Sequence, residues 1–248
     1  MTLRIKQSIN SELKEERKQL INGIFFPVLF VAILWIIHFA LYVFSIDPST
    51  FGLFPRSFTH FYGIFTFHLV HDNQSLGHIF SNSVPLVVLG SIIFYFYRGI
   101  AFQVFFWVYI MTGVWLWAAA ETGTCTIGAS GLVYGFVSFL FFSGIFRWDR
   151  RLLILSLLVI FLYGSIIWGM FPLLPDQNIS WQGHLLGFIS GTITAYFYRH
   201  EGPKRIEHKW EDEDDESNLP YNEISENENP NDVKINYEFR KKDDEEKK

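Results

Sequence analysis

Residues 23–44 read GIFFPVLFVAILWIIHFALYVF, a run of 22 residues without a Lys, Arg, Asp or Glu. At about 1.5 Å of rise per residue, a helix of this length spans the roughly 30 Å hydrocarbon core of a bilayer. A helix on the surface of a soluble protein needs a polar face, and this run does not supply one. The stretch therefore predicts a membrane-spanning helix.

Five more apolar runs follow, and each predicts a spanning helix because a backbone inside a membrane must satisfy its hydrogen bonds internally. The six predicted spans are Gly23–Phe44, Gly77–Phe96, Ile100–Ala120, Gly128–Phe146, Leu152–Phe171 and Gly183–Tyr198. A large soluble all-α protein is the alternative, but it would need polar helices to cover such a core, and residues 21–200 contain almost none. The predicted fold class is an all-α membrane protein, a bundle of six transmembrane helices at residues 21–200.

Basic residues lie on one side of the predicted bundle. Every Lys and Arg except Arg56 falls in segment 1–20, in the turns after the second and fourth spans, or around and after the end of the sixth. Because Lys and Arg are enriched in cytoplasmic loops, both termini are predicted to be cytoplasmic. The acidic tail, residues 201–248, is predicted to be disordered. Short loops and the lack of a targeting presequence favour the inner membrane of a bacterium.

The first predicted loop, residues 45–76, is long for a helical bundle and rich in aromatic residues. These are Phe51, Phe54, Phe58, Phe61, Tyr62, Phe65 and Phe67. A loop this apolar is predicted to lie in the membrane interface or to fold against the bundle.

Ser130 is a candidate nucleophile, since polar residues inside membrane spans suggest function. It lies in Gly128-Ala129-Ser130-Gly131, at the start of the fourth predicted span. The glycines allow a tight turn and leave the hydroxyl uncrowded, and the first turn of a helix offers free N–H groups to an oxyanion. Small residues such as Gly128 and Gly131 also serve close helix packing, which is the alternative here.

His184 is the candidate base, near the start of the sixth predicted span in Gly183-His184-Leu185-Leu186-Gly187. The spacing places His184, Gly187 and Gly191 on one helix face, which can approach a neighbouring helix closely. An imidazole, with an ordinary pKa of about 6.5, suits a base that takes the proton of a serine hydroxyl. A structural hydrogen bond between helices is the alternative.

His78 and Asn82 lie one helical turn apart near the start of the second predicted span, so their side chains point the same way. Both can donate hydrogen bonds, either to a neighbouring helix or to an oxyanion. In the predicted topology the second, fourth and sixth spans all begin on the outer side, which brings His78, Ser130 and His184 to one depth. Water reaches that depth, so the convergence favours a catalytic site. Tyr134, one turn after Ser130, is predicted to pack against the imidazole.

The chain resembles the rhomboid family of intramembrane serine proteases over about residues 51–198. The motifs that carry the resemblance are Gly128-Ala129-Ser130-Gly131 with Tyr134, Gly183-His184-Leu185-Leu186-Gly187 with Gly191, and His78-Ile79-Phe80-Ser81-Asn82, with His71 and Arg56 in the first loop. The resemblance implies a Ser–His dyad in which Ser130 attacks and His184 is the base. It also implies an oxyanion hole formed by His78, Asn82 and the Ser130 N–H group. Tyr134 would stack on the base, and the supporting residues would be Gly128, Gly131 and His71.

The implied activity is hydrolysis of peptide bonds in or near transmembrane segments. The expected partners are single-span membrane-protein substrates and the lipid bilayer, and no nucleic acid is expected. No cofactor is implied, and no metal, because no His, Asp and Glu set at ligand spacing occurs on one face. Two alternatives remain. A catalytically inactive rhomboid-like protein that binds membrane clients usually lacks the Ser or the His, and a small transporter or channel predicts ionisable residues near the bilayer midplane.

Overall fold

The apolar stretches fold as α-helices, since a buried N–H or C=O group must find a hydrogen-bond partner. The structure, a computed structural model, describes residues 2–73, 76–148, 150–163, 169–171 and 180–202. The α-helices in these ranges are α1 (Thr2–Val43), α2 (Gly63–Thr66), α3 (Leu76–Phe96), α4 (Ala101–Ala119), α5 (Ser130–Arg147), α6 (Arg150–Tyr163) and α7 (Trp181–Phe197). Two short 3₁₀ helices, Pro48–Phe51 and Phe67–Leu69, lie in the first loop.

Four of the described helices contain segments long and apolar enough to cross a membrane. They are Leu13–Val43 within α1, and the whole of α3, α4 and α5. The prediction of an all-helical protein with several spanning helices is therefore confirmed for the described ranges. Helices α6 and α7 are shorter, with 14 and 17 residues. Residues 164–168 of the fifth predicted span lie outside the described residues, as does the predicted tail beyond residue 202, so the count of six spans stays a prediction.

Helix α1 begins at Thr2, well before the predicted start of the first span at Gly23, because the polar segment 1–20 continues the same helix. Its apolar part packs along α3. Trp35 Nε1 donates a hydrogen bond to Ser83 Oγ at 3.0 Å, and a Cβ added at Gly90 would lie 3.0 Å from the Pro27 ring.

Helix α5 lies at the centre of the bundle, and every residue from 131 to 140 is buried. It packs against α7 through glycines on both helices. A Cβ on Gly187 would overlap the carbonyl oxygen of Gly131, and a Cβ on Gly191 would overlap the carbonyl oxygen of Gly135. No side chain fits between the two backbones at these points, so α5 and α7 are in direct contact.

The first loop folds against the bundle, which is one of the two placements predicted for it. Leu53, Ile64 and Phe67 are buried in a small core with Leu116 and Ala120 at the end of α4. An isolated β-bridge pairs Leu53 with Thr126: the Leu53 N–H donates to the Thr126 carbonyl at 2.9 Å, and the Thr126 N–H donates back at 3.0 Å. The first loop therefore supports the segment that leads into α5.

Arg56 anchors the segment of this loop that follows Leu53. Its backbone lies in the left-handed region with φ of 57°, and its N–H donates to the Trp117 carbonyl at 2.9 Å. Its side-chain Nη1 donates to the Ala118 carbonyl at 3.0 Å. These carbonyls belong to the last turn of α4, whose final C=O groups have no partner within the helix. Arg56 thus caps α4 and holds the loop to it.

Replacing Gly191 by Ala is expected to push α5 and α7 apart, since the added Cβ overlaps the Gly135 carbonyl oxygen and Ser138 Oγ. Overpacking of this kind lowers the free energy of unfolding by about 1–3 kcal/mol. The measurement is a thermal melt of the detergent-solubilised protein. Gly99→Ala is the matched control, because a Cβ at Gly99 meets nothing within 4 Å. Equal melting temperatures for the two variants would contradict the close contact of α5 and α7.

Candidate active site

Ser130 is the first residue of α5 and follows a tight turn. Gly128 has φ of 110°, a conformation that residues with a side chain rarely adopt, and this turns the chain into the helix. The Gly128 N–H donates to the Phe67 carbonyl of the first loop at 2.9 Å. Ser130 is partly exposed while its neighbours on both sides are buried, so its hydroxyl lies at the edge of the protein interior.

His184 meets Ser130 across the contact between α5 and α7. The two side chains are joined by a hydrogen bond of 2.8 Å between His184 Nε2 and Ser130 Oγ. His184 is the fourth residue of α7 and is 7% exposed. The helix begins here because Ser180 caps it: Ser180 Oγ accepts a hydrogen bond from the Gly183 N–H at 3.2 Å. A serine hydroxyl bonded to an imidazole nitrogen is one pairing in which an adjacent base can activate a serine nucleophile.

The other ring nitrogen of His184, Nδ1, lies 3.0 Å from the carbonyl oxygen of Gly169. A carbonyl oxygen can only accept, so Nδ1 carries the proton of this hydrogen bond. In the neutral ring Nε2 then has a free lone pair directed at the Ser130 hydroxyl. Sequence reasoning missed Gly169, because a backbone carbonyl contributed by a distant segment leaves no signal in the residue types.

Tyr134 stacks on the imidazole of His184. The ring centroids are 4.1 Å apart and the planes differ by 12°. Tyr134 lies one turn after Ser130 on the same face of α5, and it is 5% exposed. The structure therefore brings Tyr134 to the position predicted from its spacing to Ser130, where it restricts the plane of the imidazole.

His78 and Asn82 lie on α3 beside the turn that precedes Ser130. A Cβ added at Gly128 would be 2.9 Å from His78 Nε2 and 3.9 Å from Asn82 Nδ2, so both side chains approach the backbone of this turn. Asn82 Nδ2 donates one hydrogen bond to the His78 carbonyl at 3.1 Å. An amide NH₂ group has two N–H bonds, so a second one remains for another acceptor. The absence of a side chain at Gly128 leaves room between these donors and Ser130.

His71 holds the same turn from the first loop. Its Nε2 accepts a hydrogen bond from the Ala129 N–H at 3.3 Å, and its ring packs edge-on against His78 at 5.3 Å. Burial, together with the smaller effect of the nearby His78, His38 and His68, lowers the pKa of His71 to about 3. The ring is thus neutral at physiological pH, as an Nε2 acceptor must be. His71 thus binds the backbone of the residue directly before the candidate nucleophile.

Gly131 lies at the contact of α5 with α7 and α4. A Cβ at this position would lie 2.9 Å from Thr112 Cγ2 and 3.3 Å from the Gly183 carbonyl oxygen.

In the described part of the chain, no group of three or more His, Cys, Asp and Glu side chains is arranged to hold a metal ion. The predicted site residues all lie in one region, where α3, α5 and α7 begin and where the first loop packs against the turn before α5.

Comparison with known proteins identifies the family. The model of the Rhomboid domain matches residues 58–201. An uncharacterized protein of Mycobacterium bovis is 32% identical over 181 residues, which is 67% of this chain and 71% of the relative. An uncharacterized protein of Mycobacterium tuberculosis matches to the same extent, and one of Mycobacterium leprae is 35% identical over 150 residues, 54% of this chain and 55% of the relative.

These matches confirm the resemblance inferred from the motifs around Ser130, His184 and His78. Together with four helices able to cross a membrane, they make the protein a multi-pass membrane protein. The chain belongs to the rhomboid family, whose members are in general intramembrane serine proteases.

Proposed function

We propose that the protein is an intramembrane serine endopeptidase in which Ser130 is the nucleophile and His184 the general base. The observation that carries this proposal is the 2.8 Å hydrogen bond between Ser130 Oγ and His184 Nε2, formed by residues 54 positions apart on two different helices. A buried imidazole bonded to a partly exposed serine, with its other nitrogen already engaged, has the arrangement of an activated nucleophile.

The reaction follows from this pairing. His184 Nε2 removes the hydroxyl proton as Ser130 Oγ attacks the substrate carbonyl, which gives a tetrahedral intermediate with a negatively charged oxygen. His184 then returns the proton to the leaving amine, and the peptide C–N bond breaks to leave an acyl-enzyme on Ser130. Water attacks this ester with His184 again as the base. The second product leaves with a carboxyl terminus, and the Ser130 hydroxyl is restored.

The negatively charged oxygen needs hydrogen-bond donors in place before the reaction begins. Asn82 has an N–H group left after its bond to the His78 carbonyl, and the His78 ring lies beside Gly128. The Ser130 N–H is at the first position of α5, where helical N–H groups have no partner within the helix. These three donors form the proposed oxyanion hole. The positive end of the α5 dipole adds to their effect.

The proposed substrates are single-span membrane proteins cut in or near the transmembrane helix. A helix hides its carbonyl groups in its own hydrogen bonds, so small residues and a weak helix at the cut favour attack. The distribution of Lys and Arg supports an arrangement of six spans in residues 21–200, with segment 1–20 and the acidic tail 201–248 in the cytoplasm. In this orientation the site opens towards the side of the membrane that faces away from the cytoplasm. The membrane itself is, in our proposal, the inner membrane of a bacterium.

A catalytically inactive rhomboid-like protein that binds membrane clients is the alternative function. Such a protein has no need for a serine hydroxyl bonded to an imidazole, nor for the ring of Tyr134 stacked on that imidazole. The reactivity of Ser130 separates the two functions directly.

Detergent-solubilised wild-type protein is expected to react covalently with a serine-directed fluorophosphonate, and Ser130→Ala is expected to abolish the reaction. His184→Ala is expected to slow it by about 10²–10⁴-fold, the usual contribution of a general base. Labelling is measured by gel fluorescence and mass spectrometry. Ser81→Ala, at an exposed serine of α3, is the control and should label like wild type. Labelling of the Ser130→Ala protein would overturn the assignment of the nucleophile, and unlabelled wild type would favour the inactive protein.

Asn82→Ala is expected to slow cleavage without abolishing it. Loss of one oxyanion donor lowers turnover by about 10²–10³-fold, while Ser130 and His184 remain. The measurement is the rate of cleavage of a single-span test protein whose transmembrane helix carries Gly and Ala near its outer end. Asn22→Ala, at an exposed position of α1, is the matched control. Unchanged turnover in Asn82→Ala would remove this side chain from the oxyanion hole.

A further inference from the structure

His184 can serve as a base only in one of its two neutral forms. A neutral imidazole carries one proton, on Nδ1 or on Nε2, and the nitrogen without it is the acceptor. If the proton were on Nε2, no lone pair would face Ser130 Oγ, and the proposed reaction could not start. In serine proteases with a triad, a buried Asp bonded to Nδ1–H selects the form that can accept, and replacing that Asp by Asn lowers kcat by about 10⁴-fold.

We propose that the backbone carbonyl of Gly169 selects the reactive form of His184, in the place that a carboxylate takes in a triad. This inference rests on the proposed function of Ser130 and His184. Its basis is the 3.0 Å contact between Gly169 O and His184 Nδ1, on the opposite edge of the ring from the 2.8 Å contact with Ser130. Gly169 is a positioning residue, because it touches the base and not the reacting atoms.

The carbonyl and the Tyr134 ring restrict different motions of the imidazole. Stacking at 4.1 Å fixes the plane of the ring but permits a half-turn about the Cβ–Cγ bond, which leaves the plane unchanged. After that half-turn, the carbon Cδ2 would face the Gly169 carbonyl in place of Nδ1. The carbon Cε1 would face the Ser130 hydroxyl in place of Nε2. The hydrogen bond to Gly169 is lost in the turned ring, so the carbonyl selects the orientation as well as the protonated nitrogen.

The position requires glycine for reasons of space. A Cβ at residue 169 would overlap the Tyr134 hydroxyl and would lie 3.1 Å from His184 Nδ1 and 3.5 Å from Cε1. The backbone of Gly169 therefore touches both stacked rings at once. Any larger residue must move the carbonyl, the tyrosine or the imidazole. This contact predicts a specific coupling between residues 169 and 134.

The test uses full-length protein in detergent and compares Gly169→Ala, Tyr134→Phe and the double variant with wild type. Gly169→Ala is expected to slow fluorophosphonate labelling by about 10²-fold, the loss that follows a misplacement of roughly 1 Å at a catalytic group. In the Tyr134→Phe background the same substitution should have a smaller effect, because the hydroxyl that the Cβ overlaps is gone. Gly99→Ala controls for the added methyl group.

A second measurement determines directly which ring nitrogen of His184 carries the proton. Nitrogen-15 NMR of protein with labelled histidine distinguishes the two neutral forms, and comparison with His184→Ala assigns the signal. Wild type is expected to hold the proton of His184 on Nδ1, and Gly169→Ala is expected to give a mixture of both forms. A merely structural effect of the alanine would lower the melting temperature and leave the proton on Nδ1.

The outcomes separate this inference from the proposed function. Wild type that labels while His184 carries its proton on Nε2 would overturn the role of Gly169, as would a Gly169→Ala protein equal to Gly99→Ala in both labelling rate and NMR. Wild type that does not label would overturn the proposed function. The NMR spectrum of wild type tests the Nδ1 contact in every case, including one in which the variants fail to fold.

Discussion

The backbones of α5 and α7 touch, with carbonyl oxygens of α5 occupying the space where α7 would carry side chains at Gly187 and Gly191. Ordinary side chains keep the axes of two packed helices about 8–10 Å apart, whereas facing glycines let the two backbones come closer. The glycine contact removes that separation. Ser130 Oγ and His184 Nε2, carried by the first turns of the two helices, lie 2.8 Å apart across this contact. Stability of the bundle and geometry of the site thus depend on the same few glycines.

The first loop extends this arrangement to the turn before α5. His71 accepts the Ala129 N–H, the Phe67 carbonyl accepts the Gly128 N–H, and the β-bridge from Leu53 holds Thr126. Contacts at Thr126, Gly128 and Ala129 therefore fix the backbone that leads to the proposed nucleophile, and they come from a segment far from it in sequence. The loop in turn is anchored to the end of α4 through Arg56. The α5 side of the proposed site is therefore supported by a packed loop.

Local pattern predicted a large part of this molecule. Apolar runs predict α3, α4 and α5 to within a few residues, because hydrophobicity over some 20 residues is a property of the segment itself. The spacing of Ser130 and Tyr134 predicts that both side chains lie on the same face of one helix. The positions of His78 and His184 near the starts of their helices predict that the two lie at a similar depth in the membrane. Their chemical roles stay predictions. Gly169 could not be found, since its contribution is a carbonyl whose position depends on the course of a distant segment. The extension of α1 back to Thr2 was missed for another reason, because a polar stretch continues a helix without any apolar signal.

The hydrogen bonds of the site are those of neutral groups, which explains how it can be built into an apolar bundle. Moving an isolated charge into such surroundings is far less favourable than moving a hydrogen-bonded neutral group. A carboxylate beside His184 would have to be desolvated in the resting protein, whereas the Gly169 carbonyl carries no formal charge. His71 follows the same rule, since burial keeps its ring neutral. In the proposed reaction, charges arise only when the proton moves to His184 and the oxyanion forms. In a medium of low polarity the donors beside Gly128 would then act most strongly. The proposed dyad, with a backbone carbonyl at Nδ1, is therefore better suited to this environment than a charged triad would be.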